Sequence, residues 1–113
     1  MNLEEHLRRQ IAFSRATYGP GERTAGVCDH VRKELVEIEV KPDNGRRSDE
    51  WVDVVILGLD GMWRALSAEG VPYDQIPAVI CERLAGKQTR NELRVWPDWR
   101  TAQPGKAIEH IRT

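Results

Sequence analysis

Two pairs of carboxylates, Glu34-x-x-Glu37 and Glu50-x-x-Asp53, stand among apolar residues with twelve positions between them. On helices, a spacing of three places both members of a pair on one face. So short a connection makes two helices antiparallel neighbours, and the four carboxylates can then converge. Negative charges gathered inside a helix bundle are tolerable only around cations, and an all-oxygen donor set selects hard ions such as Mg²⁺ or Mn²⁺. The Glu-x-x-His pairs of di-iron bundles and the HExxH zinc motif are both missing, so redox iron and zinc hydrolysis fit poorly. Mg²⁺ held by a few carboxylates keeps positions for water and substrate phosphates, which points to phosphate chemistry.

Plainer explanations account for some of these acids. Ser48 reads as the N-cap of a helix whose first turn carries Asp49 and Glu50, where the helix dipole favours negative charge. That suffices for Asp49 and only partly for Glu50. Asp53 lies beyond the first turn, among Val52, Val54 and Val55. Glu34 sits within the stripe Val27, Val31, Leu35 and Ile38, where an unpartnered carboxylate would cost several kcal/mol. At about 100° per residue, Asp60 and Arg64 continue the course of Glu50 and Asp53 along the helix. Asp60 is either a support behind the ligands or the salt-bridge partner of Arg64, and pairing is the commoner arrangement for a buried acid.

The elements that must carry these residues are helices, and the expected fold is all-α, a bundle of four to five. Asn2 is expected to cap a first helix ending near Thr17, with Leu3, Leu7 and Ile11 on its buried stripe. Gly19-Pro20-Gly21 breaks it. Thr24 is expected to cap the second helix, and Lys41-Pro42-Asp43-Asn44-Gly45 to end it in a polar loop. The third, Glu50 to Leu66, is apolar in nearly every direction and reads as a buried central helix. Its Gly58 and Gly61 suggest close approach of a neighbour. Asp74 is expected to cap a fourth helix with Pro77 in its first turn and Ile76, Val79, Ile80 and Leu84 inward, a face continued by Arg83, Lys87, Arg90 and Asn91. Trp96 and Trp99 flank Pro97-Asp98 in a compact turn. Lys106, His110 and Arg112 fall on a possible short final helix within a tail over 95–113.

The 113 residues suit one domain, and 17 Lys+Arg against 18 Asp+Glu supply no general attraction to nucleic acid or membrane. Cys28 and Cys81 lack the spacing of a zinc site or a disulfide framework. No apolar run is long enough to span a bilayer. These features lead us to expect a cytoplasmic protein with a small-molecule partner. An apolar central helix with few helices to cover it leads us to expect a homo-oligomer, a dimer or tetramer.

The paired motif, together with TYGPGERTAGVCDHVRKELVEIE, EWVDVVILGLDGMWRA, KQTRNELRVWPDWRT and KAIEHIR, resembles the MazG-like all-α nucleoside triphosphate pyrophosphohydrolases. Within them it is similar to the small dATP/dGTP pyrophosphohydrolases that include phage MazZ-type enzymes. Lys33 replaces the first Glu of the frequent EExxE form, so no ligand is carried to it. The resemblance implies metal-dependent cleavage between the α- and β-phosphates of purine deoxynucleoside triphosphates, releasing a monophosphate and pyrophosphate. Glu34, Glu37, Glu50 and Asp53 would hold two or three Mg²⁺ ions, with Glu34 or Glu37 taking a proton from the attacking water. Lys87 and Asn91, with Arg90 and Lys106, would hold phosphates. Phe13, Ser14 and Tyr18 would face the base, although core packing is the commoner role for a residue such as Phe13. Cleavage of dUTP or another nucleotide and a non-catalytic metal-binding helical oligomer are the alternatives.

Overall fold

Asn2 Oδ1 accepts the Glu5 N–H at 2.9 Å, capping α1, which spans Leu3–Tyr18 with Glu4 and Glu5 in its first turn. The computed structural model describes residues 1–40 and 47–112, so the expected loop at Lys41 to Gly45 lies outside the described residues. The other helices are α2, Thr24–Val40, α3, Arg47–Ala68, and α4, Ile76–Leu93. Two boundaries differ from expectation. Val27 N–H already donates to Arg23 O at 2.9 Å, which places Thr24 inside the first turn of α2. Helix α3 includes Arg47, so Ser48 is a helical residue and not the cap.

Contacts between elements give the helix directions. Gln10 Nε2 donates to Ile56 O at 2.8 Å and Ser14 donates to Asp60, a constant offset that runs α1 parallel to α3. A Cβ on Gly61 would lie 3.7 Å from Val27, whereas the carboxylates of Glu34 and Asp53 meet further along, so α2 runs antiparallel to α3. Leu7 and Ile11 of α1, Leu59, Trp63 and Leu66 of α3, and Ile76 and Ile80 of α4 form the core. It belongs to the first of two units, Met1–Cys81. Before α4, a 3-10 turn at Tyr73–Gln75 contains Asp74, which therefore lies inside that turn, two residues before the helix, and is not its cap.

The central helix is buried only in part. Leu59, Trp63 and Leu66 are inside, but Trp51, Val52, Val55 and Ile56 are exposed, as are Leu3, Leu35 and Leu84. A helix apolar all round needs neighbours all round, and within this unit the first three turns of α3 have α2 on one side and leave these residues uncovered. Gly58 meets no atom within 4 Å and Gly61 only at ordinary van der Waals distance, so neither glycine records a close helix approach among the described residues.

The second unit, Glu82–Thr113, contains the remainder of α4 and the segment after it. Trp96 Nε1 donates to Asn91 O at 2.7 Å, Asp98 caps a 3-10 turn at Trp99–Thr101, and Trp96 meets His110 edge-on at 5.8 Å. The compact Trp-Pro-Asp-Trp turn is thus present. The expected final helix is not. Ile111 N–H bonds Val95 O at 2.7 Å and Gly105 has φ +77°, so the segment is extended against the turn. One or two helical turns would hardly repay nucleation there.

Candidate functional site

Antiparallel α2 and α3 bring the two acidic motifs together. Glu34, Glu50 and Asp53 each offer a carboxylate oxygen, and these oxygens all lie within 4.8 Å of one another. Glu34 is held among apolar residues of α2, with its side chain 12 % exposed. Its Oε2 is buried without a hydrogen-bond partner among the described residues. Burial, then the charges of Glu37, Asp53 and Glu50, push the Glu34 carboxyl above its ordinary value, while His30 works the other way. His30 Nε2 stands 3.5 Å from Glu34 Oε1, one turn back on α2. Glu37 is exposed and lies outside the converging three, although its charge acts on Glu34. An all-oxygen trio with an orphaned buried acceptor fits a hard divalent cation.

A cavity of about 370 Å³ opens beside this trio, lined by Glu34 and Asp53 together with Phe13, Ser14, Tyr18 and Asp60. Its size lies in the range of small-molecule sites, roughly 300–1,000 Å³. All three residues expected to face a base therefore border it. Phe13 is exposed and meets Tyr18 edge-on with ring centroids 6.3 Å apart, so the core-packing role expected for Phe13 is overturned. It lies on the cavity side of α1, away from the Leu7–Ile11 stripe.

Asp60 takes the salt-bridge role. Arg64 Nε donates to Asp60 Oδ2 at 2.9 Å, and Trp63 Nε1 to Oδ1 at 2.7 Å, with Ser14 Oγ donating to Oδ1 as well. Arg64 also donates from Nη1 to Gly19 O and Gly21 O, each at 2.8 Å, and from Nη2 to Ser14 Oγ at 3.0 Å. A single buried guanidinium thereby ties the Gly19-Pro20-Gly21 loop to the cavity wall. Burial alone would raise the Asp60 carboxyl, but hydrogen bonds from Ser14, Arg64 and Trp63 and the charge of Arg64 outweigh it and hold it below its usual value.

Lys87, Arg90 and Asn91 are on the later turns of α4, and Lys106 follows it, all in the second unit. Asn91 Oδ1 accepts from Arg94 at 3.1 Å. Lys33 pairs with Asp29 at 3.5 Å, in keeping with a solvated role. Gln10, Arg23 and His30 also line the cavity and were not singled out from sequence. His30 had a legible signal, its position four residues before Glu34. Arg23 and Gln10 had none, since their relation to the acids arises only when α1 and α2 pack on α3.

Among known proteins, a family model described as dATP/dGTP pyrophosphohydrolase matches residues 6–113. No curated protein and no solved structure matches the chain.

Proposed function

The chain belongs to the dATP/dGTP pyrophosphohydrolase family, whose members are nucleoside triphosphate diphosphatases, and from that membership we propose a Mg²⁺-dependent cleavage of dGTP and dATP between the α- and β-phosphates. The observation that carries the reading is the convergence of Glu34, Glu50 and Asp53 beside a cavity of nucleotide size. Mn²⁺ is the natural substitute for Mg²⁺ at such oxygens.

Glu34, Glu50 and Asp53, with Glu37 beside them, would hold two or three ions. When bound, Mg²⁺ supplies charge neutralisation on the phosphate oxygens and lowers the pKa of an attacking water. A carboxylate of α2, Glu34 or Glu37, takes the proton as the water oxygen bonds to the α-phosphorus. The bond from that phosphorus to the bridging oxygen breaks, and pyrophosphate leaves with its electron pair. Lys87 and Asn91, with Arg90 and Lys106 as further donors, carry the side-chain chemistry that would bind phosphate oxygens. Phe13 and Tyr18 offer aromatic surface to the base.

The exposed apolar residues Trp51, Val52, Val55 and Ile56 on the first turns of α3 support a homo-oligomer, a dimer or tetramer, that covers them. Among the described residues no helix is long and apolar enough to cross a membrane. A cytoplasmic location suits a nucleotide substrate.

The test is incubation with each ribo- and deoxynucleoside triphosphate and Mg²⁺, resolving mono- from diphosphates. Monophosphate with pyrophosphate from dGTP or dATP is expected, and diphosphate with orthophosphate would overturn the cut. Glu50→Gln and Asp53→Asn proteins that remain folded should lose more than about a hundredfold in kcat, the scale of losing charge stabilisation in the transition state. A loss under about tenfold would remove the carboxylates from the chemistry.

A further inference from the structure

Arg64 is a charged side chain at 2 % exposure, and each nitrogen of its guanidinium is engaged. Nε donates to Asp60 Oδ2 at 2.9 Å and Nη2 to Ser14 Oγ at 3.0 Å. Balancing the Asp60 charge needs no more than that edge of the fork. Nη1 is given to the backbone on both sides of Pro20, donating to Gly19 O and Gly21 O at 2.8 Å each. The guanidinium carbon also lies 4.3 Å from the centroid of the Trp63 ring, which holds the fork from one face.

Little else places that loop. Pro20 has no N–H to give, and a Cβ on Gly19 or Gly21 would meet no atom within 4 Å. Both glycines have φ +88°, so no side-chain packing restrains them. Yet the residues on either side of the loop, Tyr18 and Arg23, border the cavity beside the acidic trio. The Arg23 guanidinium carbon lies 5.6 Å from the centroid of the Tyr18 ring, which closes the loop on itself at the cavity. Arg64 is not among the residues that line this cavity. Resting on the pyrophosphohydrolase reading, we propose that Arg64 is a positioning residue for substrate binding: through the Gly19 and Gly21 carbonyls it fixes where the loop holds Tyr18 and Arg23, and so sets nucleotide affinity without entering the chemistry. Lysine cannot replace it, because a single ammonium beside Asp60 leaves the two carbonyls at the far edge of the fork unserved.

The experiment compares Arg64→Lys with the native full chain in turnover of dGTP with Mg²⁺, in equilibrium binding of dGMP, and in hydrogen exchange of the Gly19 amide. That amide bonds Arg15 O at 3.1 Å where the loop leaves α1. Exchange at Gly19 should be about tenfold faster, KM and the dGMP dissociation constant roughly tenfold higher, and kcat within about threefold of native, the pattern of lost binding with the chemical step intact. A merely structural Arg64 would lower Tm and the active fraction while leaving KM and dGMP affinity unchanged, and that result overturns the proposal. So does a raised KM with native exchange at Gly19, since Arg64 would then act by a route other than the loop. Should Arg64→Lys fail to fold, the exposed Pro20 supplies the second variant. Pro20→Gly frees the loop backbone without touching a buried group and should raise KM by roughly threefold with kcat kept; an unchanged KM there overturns the proposal as well. Native turnover of dGTP with variant KM unaltered removes this inference and leaves the reaction standing, whereas weakened dGMP binding in the variant of a chain that does not turn over dGTP does the reverse.

Discussion

Two acids on neighbouring helices, Asp60 buried and Glu34 half-buried, have opposite surroundings. Asp60 is ringed by donors, and Glu34 by other carboxylates. The folded value of Asp60 lies below the ordinary one, so its stabilisation is present above the usual aspartate range and is lost as pH falls through the depressed value. Asp60→Asn should therefore be the less stable protein at pH 7, and its deficit should shrink on acidification in thermal unfolding at pH 7 and pH 3. Glu34 has the reverse sign. Its raised folded value means no penalty below the ordinary glutamate range and a growing one as pH rises through the raised value. Glu34→Gln should stabilise the metal-free chain at pH 8 but not at pH 4. Added Mg²⁺ should raise Tm in the native chain more than in the variant, and an equal rise in both would place the ion elsewhere.

Helix α3 carries most of the information at the level of elements, because each half of it answers to a different neighbour. Its second half joins the core through Leu59, Trp63 and Leu66, and its first half holds Glu50 and Asp53 against α2. Gly58 is exposed with nothing near a would-be Cβ. Its replacement by alanine should raise stability by about 0.5–1 kcal/mol in urea unfolding, the usual gain at an exposed helical glycine. The loop after α1 behaves differently. Gly19 has φ +88° and ψ 166°, a conformation almost reserved for glycine, and its carbonyl accepts from Arg64. Gly19→Ala should cost roughly 1–3 kcal/mol in the same measurement.

At the level of the whole molecule, a small chain leaves a substantial apolar surface in water. Val55 is 59 % exposed beside Trp51 and Val52. A charge there disturbs no packing within the unit, so Val55→Asp should leave helicity unchanged while shifting sedimentation at micromolar concentration towards the monomer. A native chain that sediments as a monomer at that concentration would remove the oligomer. Acidic and basic residues are almost equal in number, and their placement matters more than the total. Negative charge gathers where α2 meets α3, and Arg64 balances Asp60 within the core.

The chain by itself determined the four helices and the pairing of the acidic motifs. Periodicity of three to four, glycine breaks and the Asn2 cap are local signals, and a spacing of three on adjacent helices makes the two acidic pairs neighbours, but it did not show that Glu37 would lie outside the group formed by Glu34, Glu50 and Asp53. It also held the alternative roles of Asp60 without choosing between them. Packing made that choice, because Ser14, Gly19, Gly21 and Arg64 meet only when α1 lies parallel to α3. The exposure of Phe13, the exposed first turns of α3 and the cavity positions of Gln10, Arg23 and His30 were likewise decided in three dimensions. An amphipathic pattern shows that a face must be covered, but which residues cover it depends on neighbours distant in the chain. The tail shows the same limit, since the hydrogen bond from Ile111 to Val95 takes precedence over a short run of helix-forming residues.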